Sequence, residues 1–220
     1  KEKVRVVSGN VGGGFGMKLF LHPEYGLVPW AARKLKRAVR WASDRAEAFQ
    51  SDVQGRDHVS FAELALDKDA RFLGLKIETY ANEGAYLSNY APFVATGGSD
   101  MHVGLYKTPA VYTRVVGVVT NTVPIDAYRG AGRPEATYVI ERLMDRVAQE
   151  LNIDPVSVRR KNFPQPKEFP FKTATGLAYD SGNYQLALDK ALKLAGYEKL
   201  RREQKRLRSR GRYLGIGLST

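Results

Sequence analysis

Apolar positions follow two different periods along the chain, and the change of period divides it. In the first half the pattern favours strands. Val4–Ser8 is a short apolar run that reads as a buried strand, and a glycine-rich turn follows it at once. His58–Leu66 and Phe72–Tyr80 flank Asp67-Lys68-Asp69-Ala70-Arg71, the arrangement of a hairpin. Val111–Thr120 is dense in β-branched residues, as strands are. Val39–Ala42 is a shorter strand candidate. The exception is Pro23 to Arg37, which is apolar and basic at helical spacing. Pro29 must start, kink or end part of that helix.

After Thr120 the helical period takes over. Ile140, Met144, Val147 and Leu151 fall on one helix face. Asp154-Pro155 has the form of a helix start, because Asp can cap the free N–H groups and Pro fits the first helical position. Tyr184, Leu188, Ala191, Leu192 and Ala195 form another apolar stripe that stops at Gly196. Pro164 to Gly182 reads as a loop, and Leu214–Leu218 as a final strand. Hairpins followed by helices predict an α+β fold, with antiparallel hairpins and a mixed sheet packed against helices.

Composition narrows the chemistry. The chain has 220 residues, 43% of them hydrophobic, enough for one large domain or two small ones. No run approaches the roughly 18 apolar residues of a membrane span. Lys1 leads straight toward the first strand-like run, with no signal-peptide pattern and no initiator Met. With a last apolar run reaching the final residues, this predicts a piece of a longer, cytoplasmic protein. Cysteine is absent, which removes thiolate metal sites, iron–sulfur ligation and cysteine nucleophiles from these residues. The three histidines, His22, His58 and His102, lack metal-ligand spacing.

The net charge is +12, and much of it is local. From Gly196 to Arg212 eight basic residues stand against Glu198 and Glu203. One reading is a non-catalytic module whose basic tail binds nucleic acid. The other is a solvated helix face or subunit contact, favoured because no aromatic residue is interleaved from Lys199 to Arg212.

Two segments carry candidate chemistry. Gly9-Asn10-Val11-Gly12-Gly13-Gly14-Phe15-Gly16-Met17-Lys18 exposes backbone N–H groups and lets a ligand approach the main chain. It is not a dinucleotide fingerprint, because Met17 stands where the third glycine belongs. It is not a phosphate-binding P-loop either, because Lys18 does not follow a glycine. The second segment is Asp126-Ala127-Tyr128-Arg129-Gly130-Ala131-Gly132-Arg133-Pro134-Glu135-Ala136. It places two arginines at the start of a helix, whose positive end suits an anion such as a phosphate or a phosphate-tailed pterin. The plainer reading is a loop whose arginines pair with nearby carboxylates.

Taken in order, GGGFG-x-K, AYRG-x-G-x-P-E-A and Val158-Arg159-Arg160-Lys161-Asn162-Phe163 resemble the xanthine dehydrogenase, aldehyde oxidase and carbon monoxide dehydrogenase family, over essentially the whole chain. The resemblance is to the first molybdenum-cofactor-binding portion of the large subunit. It implies residues 1–195 as that portion and 196–220 as a basic helix and strand leading to a second portion. It implies a molybdopterin, often as its cytosine dinucleotide, cradled by Gly13, Gly14, Phe15 and Gly16 and by Arg129, Gly130, Ala131 and Gly132. Phe15, Gly16 and Arg129 would stand near the metal, and Gly16 would make room for the cofactor. The implied reaction is hydroxylation with oxygen from water or a related oxidation. The implied partners are the remainder of the large subunit, an iron–sulfur small subunit and an FAD medium subunit.

Departures from the family pattern restrict the substrate. Leu19 stands where xanthine-oxidising members carry Glu, Gly97 or a neighbour where they carry a substrate-binding Arg, and Ala131 where they carry an aromatic residue. Copper-containing carbon monoxide dehydrogenases read AYRCSFR, whereas this chain reads AYRGAGR and resembles the form II group. The family's catalytic base, a Glu late in the large subunit, has no equivalent here. Glu83, Asp126 and Glu135 are read as structural carboxylates.

Overall fold

The computed structural model describes residues 3–220. Its centre is a three-stranded sheet made of β1 (His58–Leu66), β2 (Phe72–Gly84) and β3 (Val111–Val119), with β2 in the middle. β1 and β2 form the expected antiparallel hairpin, from His58 opposite Ala81 to Leu66 opposite Phe72. The turn between them is closed by Asp67, whose carboxylate accepts from the backbone N–H groups of Asp69 and Arg71. β3 runs parallel to β2, so the sheet is mixed. A parallel return needs a crossover, and residues 85–110 supply it, including the short helix α3 (Ala91–Thr96).

Helices pack beneath this sheet. α4 (Arg133–Glu150) buries Ile140, Met144 and Val147 against Phe72, Leu75 and Ile77 of β2, as the spacing of those residues predicts; Leu151, the fourth residue of the stripe, caps the helix and stays exposed. α5 (Pro155–Asn162) starts where expected, with the Asp154 carboxylate accepting from the Val156 N–H at 2.8 Å. α6 (Tyr184–Ala195) ends at Gly196 in the left-handed region, φ 64°, and α7 (Tyr197–Arg208) follows directly. The loop from Pro164 to Gly182 contains a small hairpin of β4 (Phe171–Lys172) and β5 (Ala178–Tyr179). The fold is therefore α+β.

The family-like stretch Val158–Phe163 turns out to be scaffold. Asn162 donates to the carbonyls of Ala70 and Val158 and accepts from the Phe72 N–H, fixing α5 to the hairpin turn. Arg159 is fully buried and donates to Glu141 Oε2 from Nε at 3.0 Å and from Nη2 at 2.8 Å. The other oxygen of Glu141 accepts from the Tyr106 hydroxyl, so this buried charge pair has its hydrogen bonds met on both sides.

Three expected strands do not form. Val4–Ser8 is irregular and exposed, with Val6 at 89%. No strand among the described residues lies alongside it, so its apolar side chains have no sheet to join. Val39–Ala42 is coil for the same reason, with Val39 half-buried and the rest exposed. Leu214–Leu218 keeps the alternation of a strand, and its even-numbered side chains pack inward with Ile216 and Leu218 against the core. It has no ladder; Arg159 Nη2 donates to the Leu218 carbonyl at 2.9 Å instead. Earlier in the chain α1 (Pro23–Leu35) does form, carries Pro29 internally and buries none of its residues. α2 (Arg45–Ser51) follows it. No helix of the described residues is long and apolar enough to cross a membrane.

Candidate functional site

The two glycine-containing loops, more than a hundred residues apart in sequence, lie side by side. The backbone N–H of Arg129 donates to the carbonyl of Phe15 at 2.8 Å. The Arg129 guanidinium lies over the Phe15 ring, 5.7 Å from its centroid. This contact needs an unusual backbone on both sides. Phe15 (φ 51°), Gly16 (φ 97°), Gly130 (φ 102°), Ala131 (φ 44°) and Gly132 (φ 89°) all occupy the left-handed half of conformational space. Phe15 and Ala131 carry side chains there, a cost met most often at functional loops.

Gly16 fits tightly against the second loop. A Cβ at Gly16 would stand 2.8 Å from the Ala127 carbonyl oxygen. Its glycine thus lets the two loops touch. Gly132 plays the same part against α3 and the turn that follows it. A Cβ there would lie 2.2 Å from the Val94 carbonyl oxygen, and one at Gly98 would lie 2.4 Å from the Gly132 carbonyl. Gly13 is exposed and Gly14 half-buried; both lie in the same turn as Phe15.

The site has a positive face. Gly132 caps α4 without any side-chain hydrogen bond, so the helix presents its positive end to the loop. Among the described residues Arg129 and Arg133 form no ion pair, which departs from the reading of arginines paired with carboxylates. Lys18 is different: its ammonium contacts both carboxylate oxygens of Asp52, at 2.6 and 2.5 Å, and so ties the first loop to the end of α2. An anionic, phosphate-bearing cofactor suits these groups: open glycine backbone, two unpaired guanidinium groups and a helix N-terminus.

Of the carboxylates nearby, Asp126 acts as a support, while Glu83 and Glu135 each bury one oxygen without a hydrogen-bond partner. Asp126 is fully buried and accepts from the backbone N–H groups of Tyr90 and Ala127, holding the crossover against the loop. Glu83 is buried beside Gly117, and burial, then the neighbouring Asp126, raises its carboxyl above the usual range. Behind them His102 is buried with its Nδ1 unpartnered, and burial followed by the nearby His58 lowers its pKa to about 4. His58 is lowered by burial too, against the opposing fields of Glu135 and Asp57.

Gly97, placed by sequence near a substrate-binding position, ends α3 next to Gly98. A Cβ at Gly97 would stand 2.7 Å from the Phe93 carbonyl oxygen, so this backbone does not admit a larger residue unchanged. Leu19 is exposed. Sequence reasoning missed Arg56, which donates to the carbonyls of Tyr128 and Arg129, and Gly98, which lets the turn after α3 approach Gly132. The available signals were a glycine before an arginine, Gly55-Arg56, and the pair Gly97-Gly98.

Residues 1–163 match the family described as molybdopterin cofactor-binding domain. The chain is 39% identical to the carbon monoxide dehydrogenase large chain of Hydrogenophaga pseudoflava, over 100% of its own length and 28% of that protein. It is 34% identical to the 6-hydroxypseudooxynicotine dehydrogenase complex subunit gamma of Paenarthrobacter nicotinovorans, over 98% of its own length and 28% of that subunit. Its fold superposes on quinoline 2-oxidoreductase from Pseudomonas putida 86 with a TM-score of 0.86 and 37% identity, covering 92% of this chain and 26% of that one. The chain thus spans little more than a quarter of the proteins it resembles.

Proposed function

This chain belongs to the molybdopterin cofactor-binding domain family, and from that premise we propose that it forms one wall of the cofactor site in a molybdenum hydroxylase large subunit. The observation that carries the reading is the Arg129 N–H to Phe15 carbonyl hydrogen bond, which joins the two motif loops at the open end of α4. Gly13 to Gly16 and Arg129 to Gly132 would hold the cofactor, a molybdopterin in its cytosine dinucleotide form. When bound, the molybdenum centre supplies two-electron oxidation with oxygen derived from water. The residues of this chain bind and orient. The guanidinium of Arg129 offers planar donors beside the Phe15 ring. The base that removes a proton during the reaction lies outside this chain. Asp126 is committed to backbone N–H groups, and Glu83 is buried at the sheet.

Names such as large chain and complex subunit among its relatives support a multisubunit assembly. We place iron–sulfur and FAD groups on partner subunits, residues 196–220 as a connector to the rest of the large subunit, and the enzyme in the cytoplasm. The relatives' names span carbon monoxide, 6-hydroxypseudooxynicotine, quinoline and xanthine, so they do not select a substrate; Leu19, Gly97 and Ala131, which depart from the xanthine-oxidising pattern, support a small non-purine molecule. The nucleic-acid reading of the basic stretch gains no support: α7 turns Tyr197 into the core, and Gln204 donates to the Leu214 carbonyl.

Arg129→Lys in the full-length subunit tests the reading. Turnover should fall about ten- to a hundredfold, the equivalent of one lost charge-assisted hydrogen bond, while molybdenum content is kept. Arg133→Lys is the control. Kinetics near wild type for both variants would remove Arg129 from the site.

A further inference from the structure

Arg56 lies outside both motif loops, yet it grips one of them. Its backbone stands in the left-handed region, φ 62°, which is costly for a residue with a side chain. Two backbone bonds fix Gln54, two residues before it. The Gln54 N–H donates to the Pro124 carbonyl at 3.0 Å, and the Asp126 N–H donates to the Gln54 carbonyl at 2.9 Å. Gly55 brings the strands of chain together, since a Cβ there would lie 2.9 Å from the Tyr128 Cβ. So directed, the Arg56 guanidinium covers the Tyr128 ring at 4.6 Å from its centroid. It donates from Nη1 to the Tyr128 carbonyl at 3.4 Å and from Nη2 to the Arg129 carbonyl.

Arg129 is therefore held at both ends of its backbone. Phe15 accepts from its N–H, and Arg56 donates to its carbonyl. Only the side-chain torsions of Arg129 remain free, and the guanidinium lies toward Phe15. We infer that Arg56 is a positioning residue: it fixes the Tyr128–Arg129 turn so that the Arg129 guanidinium faces the cofactor side of the Phe15 loop. The inference rests on the two loops being the cofactor cradle. A planar fork is needed for the task, because one guanidinium must reach two consecutive carbonyls and cover a ring; an ammonium is a point charge on a flexible stem.

The test uses the full-length subunit loaded with cofactor, as wild type, Arg56→Ala, Arg56→Lys and Arg129→Ala. Each is reduced with dithionite and its Mo(V) paramagnetic resonance spectrum recorded, together with molybdenum content and melting temperature. The expected result is a shifted or broadened Mo(V) signal in both alanine variants, with a partial return toward wild type in Arg56→Lys. If the Arg56→Ala signal overlays wild type while that of Arg129→Ala departs from it, the cradle stands and Arg56 is a surface brace only. If Arg129→Ala also overlays wild type, the cradle reading fails and the inference falls with it. Should Arg56→Ala not fold or not load, Arg56→Lys decides alone. A wild-type signal from it would overturn the need for a fork, and a shifted one would uphold it.

Discussion

Replacing Gly16 by alanine adds one methyl group at the point where the two loops meet. The new Cβ would stand 2.8 Å from the Ala127 carbonyl oxygen and 3.3 Å from its carbon, both of them backbone atoms. Flexible side chains can swing aside at small cost, but backbone cannot. The residue must also keep φ near 97°, which costs an L-residue about 1–2 kcal/mol. Relief requires the loops to part, and parting them breaks the Phe15 to Arg129 hydrogen bond, worth about 0.5–1.5 kcal/mol. The sum is a destabilisation of about 1.5–3.5 kcal/mol, confined to the contact between the loops. Gly12→Ala is the matched control, because a Cβ there meets nothing within 4 Å and its φ is not positive. Its effect should stay within about 0.5 kcal/mol. Denaturant unfolding and molybdenum content of the full-length subunit should be measured for both variants. Gly16→Ala should lose stability and molybdenum together, and Gly12→Ala neither. Equal behaviour of the two would refute the idea that Gly16 exists to let the loops touch.

Two further outcomes follow from the buried groups behind the site. Glu141→Gln should cost about 3 kcal/mol in denaturant unfolding, because it removes the buried one of the two carboxylates paired with the fully buried Arg159 guanidinium; a change under about 1 kcal/mol would mean that Asp145 and the Leu218 carbonyl satisfy Arg159 alone. His102 should make stability depend on pH. Its folded pKa of about 4 lies below the ordinary 6.5, so the unfolded chain takes up a proton first. The stabilisation is complete above pH 6.5 and is lost as pH falls through the window to 4, by up to about 3 kcal/mol. His102→Gln should flatten that part of the urea-midpoint profile, and an unchanged slope would count against the assignment.

Much of this architecture was legible because local signals and packing agreed. The hairpin of β1 and β2, the strand β3, the α4 stripe, the Asp154 cap and the Gly196 stop each combine a period with a boundary residue. Both motif loops were visible as glycine clusters next to a helix start or a basic residue. What stayed hidden depends on partners distant in sequence. The parallel placement of β3 beside β2 is set by a crossover, not by either strand. Arg159 reads as a surface cation from its neighbours, and only Glu141 on another helix makes its burial possible. Arg56 reads as a charge at the edge of a strand, and its role appears only when residues 128 and 129 are brought to it. Val4–Ser8 shows the converse: an apolar run makes a strand only where a neighbouring strand offers a ladder.

The central claim is that the loops at residues 13–16 and 129–132 jointly hold a molybdopterin cofactor. An experimental structure of the full-length subunit, purified with its cofactor bound, tests it most directly. The account predicts cofactor density in contact with the Phe15–Gly16 backbone and within hydrogen-bonding distance of Arg129 or the Gly130–Gly132 turn. Density for the cofactor out of contact with both loops, in a subunit that contains molybdenum, would contradict it.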